Sequence, residues 1–107
     1  MIPALPARLA KLAALNQTTT YGALARDLGL TGSGTIARLT DALEALMGTD
    51  AAQNRPFRAA LVSGRLTQNL PAQGFFDKAA ALGRYHGEDP AVYAAQERAA
   101  LHLFICP

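Results

Sequence analysis

Residues 18–46 limit this chain more than any other stretch: TTTYGALARDLGL is followed directly by TGSGTIARLTDALEAL. Leu24, Ala25 and Leu28 recur at helical spacing, and Thr20 can cap the N–H groups of Gly22 or Ala23. Gly29 is a natural helix stop, because glycine accepts positive φ at little cost. A second, longer helix is predicted from Thr31 or Ser33, with Ile36, Leu39, Leu43 and Leu46 on its buried face. Two helices joined by a glycine-rich turn form either a helix-turn-helix, whose second helix can enter a DNA major groove, or an ordinary αα-hairpin in a small helical domain.

The flanks extend this picture to one domain over residues 1–107. Pro6 opens a first helix with Leu9, Leu12, Ala13 and Leu15 on its apolar face, and Asn16 and Gln17 end it. After Leu46 the second helix either continues through Ala51 and Ala52 or breaks at Gly48, and residues 54–56 form a boundary before proline. Leu61 and Val62 are the most strand-like pair in the chain. With Ser63-Gly64 as a turn and a second strand over Arg65 to Thr67, they predict a short β-hairpin placed as the wing of a winged helix. Arg65 at its tip and Arg58 near its base would lie along a phosphate backbone, unless the segment is a solvated loop with two surface arginines. Phe75, Ala79 and Leu82 predict a fourth helix stopped by Gly83, with Phe75 and Phe76 as core anchors. Asp89-Pro90 starts a fifth, carrying Val92, Tyr93, Gln96, Ala100, Leu101 and Phe104. The expected class is mainly α and winged helix-turn-helix-like: three N-terminal helices, a short hairpin, two C-terminal helices.

Half the residues are hydrophobic and 17% are charged, enough for a core and against a disordered chain. The net charge of +2 permits nucleic-acid binding without demanding it. The cations are not evenly spread. Four basic residues and one acid precede Asp41, three acids and no base run from Asp41 to Asp50, and three arginines follow from Arg55 to Arg65. A helix with a basic start and an acidic far end suits presenting its N-terminus to phosphate, although the acids also fit a solvated face.

No run of about 18 apolar residues is present, so no membrane span is expected. The N-terminus lacks the basic start and clean apolar centre of a signal peptide, and a cytoplasmic location is expected. Cys106, His86 and His102 show no metal-ligand spacing, and Cys106 has no base beside it, so neither a metal, a cofactor nor a catalytic residue is expected. Gly29, Gly32 and Gly34 make a phosphate-compatible turn but lack the strand before and the lysine after that a nucleotide loop needs.

The segment QTTTYGALARDLGL resembles the start of the DNA-binding domain of alkylguanine-DNA alkyltransferases and alkyltransferase-like proteins. Thr19-Thr20-Tyr21-Gly22 and Leu24-Ala25 match the family's threonine-tyrosine-glycine motif. The resemblance implies that Tyr21 helps push a nucleotide out of the duplex and that Arg38 fills the vacated space. Arg55-Pro56-Phe57-Arg58 stands where the family has Pro-Cys-His-Arg, so Phe57 replaces the reactive cysteine and no histidine follows it. Leu39, Thr40 and Asp41 replace the small residue and glycine usual after the helix arginine. The match covers about residues 17–65.

The expected function is therefore non-catalytic DNA binding: Thr35 and Arg38 in the groove, Tyr21 and Ser33 on phosphate, Arg58 and Arg65 on the wing. The alternative is a protein-interaction module on the same fold without nucleic acid. A homodimer through the final helix is compatible with both.

Overall fold

The computed structural model describes residues 2–64 and 68–105, and these carry five helices and one two-stranded parallel sheet. Helix α1 covers Leu5–Ala14, strand β1 Thr19–Thr20, α2 Tyr21–Asp27, and α3 Thr35–Ala52. A 3-10 turn over Arg58–Leu61 leads into strand β2, Val62–Ser63, followed by α4, Gln73–Ala81, and α5, Pro90–Ile105.

The helix ends follow from local chemistry. Thr20 is extended and its Oγ accepts the Ala23 N–H at 3.1 Å, which starts α2. Asp89 starts α5: its Oδ1 accepts the N–H groups of Ala91 and Val92, and Pro90 needs no acceptor. Helices α1 to α4 share one kind of ending. A left-handed residue stands just past the cap, Asn16, Gly29, Asn54 and Gly83 in turn, with φ from 54° to 78°. In each case the next N–H reaches back five residues, as from Leu30 to the Ala25 carbonyl at 2.9 Å and from Arg55 to that of Asp50 at 2.8 Å. This closure satisfies carbonyls that the helix leaves open.

One hydrophobic cluster joins all five helices. Leu5, Leu9 and Leu12 of α1, Leu24 of α2, Leu39, Leu43 and Met47 of α3, Phe75 and Phe76 of α4, and Tyr93 and Leu101 of α5 are buried in it. Phe57 is fully buried at its centre, edge-on to the Phe75 ring at 6.0 Å. Phe75 and Phe76 are core anchors, as their spacing predicts.

Of the two courses open to α3, it takes the continuous one, running unbroken through Gly48 to Ala52. Other expectations need correction. Helix α3 starts at Thr35, with Gly34 as its cap, rather than at Thr31 or Ser33. Ile36 lies outside the buried face, at 47% exposure, because it stands in the first turn, before α3 has reached the core. The predicted hairpin is not the sheet observed. Residues 58–61 are a 3-10 turn, and Val62–Ser63 pairs in parallel with Thr19–Thr20, registering Thr19 with Val62 and Thr20 with Ser63. The pairing is fixed by side chains as well: Ser63 Oγ donates to the Thr19 carbonyl at 3.1 Å. The second strand expected over 65–67 lies outside the described residues.

Candidate nucleic-acid interface

Helices α2 and α3 and the loop between them form the exposed unit that the sequence singles out. After Gly29, residues 31–34 are all exposed, and Gly32 and Gly34 adopt φ of 92° and 76°. Gly34 is the N-cap of α3, and no side chain caps that end. The first-turn N–H groups of an 18-residue helix therefore face outward.

Tyr21 opens α2 half-buried, and its hydroxyl oxygen accepts the Ala72 N–H at 3.3 Å. Burial pushes its pKa up, the Ala72 N–H opposes this, and the Glu44 carboxylate adds to the rise. Ile36, exposed on α3, closes a shallow pocket with Thr20, Tyr21, Gly22, Ala23 and Arg26. Ser33 is exposed in the turn, and Thr35 turns its hydroxyl back to the Gly32 carbonyl at 2.7 Å. Arg38 is exposed, with a 3.3 Å bond to the Thr31 carbonyl. Two residues on a helix are about 200° apart, so Arg38 projects from the flank of α3 opposite to Ile36 and Tyr21. The two residues singled out by the resemblance bracket the outward face of α3 rather than sharing a pocket.

Arg58 is not a wing residue, and its placement there is corrected. Its Nη2 lies 2.8 Å from Asp50 Oδ1, and its Nε and backbone N–H also bond that carboxylate. Asp50 has no exposed surface and also holds Arg55 at 3.1 Å. The far-end acid of α3 is therefore a core counter-charge rather than part of a solvated face. Arg65 lies outside the described residues.

The remaining arginines divide cleanly. Arg8 pairs with Asp27 at 2.9 Å, and Arg84 pairs with Glu97 at 3.1 Å while lying 4.0 Å over the Phe57 ring. Arg98 bonds the carbonyls of Ala60 and Asn69, and burial lowers its pKa. Among the described residues, only Arg26 and Arg38 lack either an acid partner or two carbonyls. Both belong to the α2–α3 unit. Arg26 was missed by sequence reasoning. Its signal was the tyrosine-glycine motif four residues earlier, since Arg26 Nη1 lies along the open side of Gly22.

Phe57, at the position of the family's reactive cysteine, is sealed between Phe75 and Arg84, and its N–H donates to Glu97 Oε1 at 3.0 Å. No helix of the described residues is long and apolar enough to cross a membrane, and among those residues no three histidine, cysteine or acidic side chains gather as metal ligands. Compared with known proteins, the chain matches no family model, no curated protein and no solved structure.

Proposed function

We propose that this chain is a non-catalytic DNA-binding protein that uses α2 and α3 as the helix-turn-helix of a winged-helix-type domain, in the manner of alkyltransferase-like proteins. The observation that carries the reading is the division of the arginines: those elsewhere in the described fold are held by acids or carbonyls, and the two left over flank the uncapped start of α3. A phosphate backbone meets there a helix N-terminus, Ser33 and two guanidinium groups, with Tyr21 half-buried at the margin. Asp41 faces outward on the same helix and would accept from a cytosine amino group rather than approach phosphate.

Duplex binding measured across salt tests the reading. Affinity is expected to fall with salt. Arg26→Gln with Arg38→Gln is expected to lower it and to flatten the slope by about one unit for each phosphate that is no longer neutralised. Absence of salt-dependent binding to duplex or single strands overturns it.

A protein-interaction role is the second reading, and a specific observation favours it. Val92, Leu103, Phe104 and Ile105 of α5 are exposed, and so is Leu15 at the end of α1. Helix α1 meets α5 there, with His102 Nδ1 2.9 Å from the Ala13 carbonyl. Large exposed apolar side chains on one helix mark a place where another protein, or a second copy, packs.

A further inference from the structure

A groove of about 430 Å³ runs between the start of α1 and the flank of α3, within the size range of small-ligand sites. Its floor is apolar, formed by Leu5 and Pro6 of α1 against Ala42, Ala45 and Leu46 of α3. Arg38 and Asp41 stand at one end of the α3 side. They are one turn apart, both exposed, and not paired with each other. The groove therefore has a charged end bearing one cation and one anion, and an apolar run leading away from it down the helix.

We infer that this groove binds a free α-amino acid with an apolar side chain. Its carboxylate bonds the Arg38 guanidinium, its ammonium bonds the Asp41 carboxylate, and its side chain lies on Ala42, Ala45 and Leu46. The paired signs select this class. A fatty acid would set its carboxylate beside Asp41, and a simple amine would set its cation beside Arg38, so each leaves one rim charge unmatched. A zwitterion whose two charges lie on one carbon matches both. Arg38 suits the carboxylate because its planar fork holds two oxygens at once, and its single 3.3 Å bond to Thr31 is readily exchanged. The inference does not rest on the DNA reading: an amino acid would take Arg38 and Asp41 in place of a nucleic acid, and its binding is measured on the protein alone.

The test is a titration of the isotopically labelled full chain with L-leucine, L-methionine and L-phenylalanine, followed by amide NMR. Saturable shifts at Ala42, Ala45 and Thr49 are expected at millimolar concentration. N-acetyl-L-leucine lacks the ammonium and L-leucinamide lacks the carboxylate. Each is expected to bind roughly tenfold or more weakly, the loss of one charged hydrogen-bond partner. Arg38→Gln should erase the discrimination against L-leucinamide, and Asp41→Asn that against N-acetyl-L-leucine. Both side chains are exposed, so neither variant threatens the fold. Absence of saturable shifts with all three amino acids, or equal binding of the blocked forms, overturns the inference.

Discussion

Asp50 has no contact with water and lies between the guanidinium groups of Arg55 and Arg58. Among the described residues, its charge is met by those two groups and the Arg58 N–H. Asp50→Asn removes the anion and leaves both cations facing a neutral amide. We expect a loss of about 3 kcal/mol, the low end for breaking a buried pair because both arginines keep some exposure. The shift of the urea midpoint checks this. Tyr93 is the opposite case. Its hydroxyl is buried and has no hydrogen-bond partner among the described residues. Burial, with Glu97 adding to it, raises its pKa from 10.0 to about 12. The folded protein then holds this proton more tightly than the unfolded chain does. Its contribution to stability is intact below pH 10, where both states are protonated, and is lost as pH rises from 10 to about 12. Tyr93→Phe is expected to remove that alkaline loss, seen by following the melting temperature against pH. At neutral pH the same variant is expected to be neutral or stabilising by up to about 1 kcal/mol, since it deletes an unsatisfied polar atom.

At the scale of elements, the asparagine endings invite a direct comparison. Asn54 has φ of 55° just past α3, and its N–H and that of Arg55 close the helix. Asn54→Ala is expected to cost about 1 kcal/mol, because a Cβ without a local polar partner disfavours left-handed backbone, whereas Asn54→Gly is expected to be near neutral. Chemical denaturation of the two variants separates them. These endings also show what sequence can reveal. Gly29, Gly83, the Thr20 cap and Asp89-Pro90 act within a few residues, so the helices they bound were legible in advance. The strand was not. Leu61 and Val62 look like half of a hairpin, but the partner of Val62 is Thr19, far back in the chain. Arg58 was misplaced for a related reason: only the folded path of α3 brings Asp50 under it, and no spacing rule links positions 50 and 58 across a turn. The candidate site was partly legible. The tyrosine-glycine motif pointed to Tyr21, but the significance of Arg26 depends on where every other arginine ends up.

At the scale of the whole molecule, α5 closes the core with Tyr93, Ala94 and Leu101 and turns Val92, Leu103 and Phe104 outward. Glu97 and Arg98 are drawn inward, to Phe57 and Arg84 on one side and to Ala60 on the other, so the outward side keeps no charge to oppose an identical copy. Self-association through α5 is expected, and Val92→Lys with Leu103→Lys should shift it to monomer in light scattering. If the unchanged chain is already monomeric at high concentration, the exposed side chains serve a different partner or none.

The parallel pair of β1 and β2 registers Thr19 with Val62 and Thr20 with Ser63, and the two-helix unit and its buried counter-charge lie in the chain between them. During synthesis, Thr19 and Thr20 emerge long before their partner, and all of α3 is made while that edge is still open. The loop can close only after Ser63 has left the ribosome, so this tie across the base of the α2–α3 unit forms late, after the whole of α3 has been made.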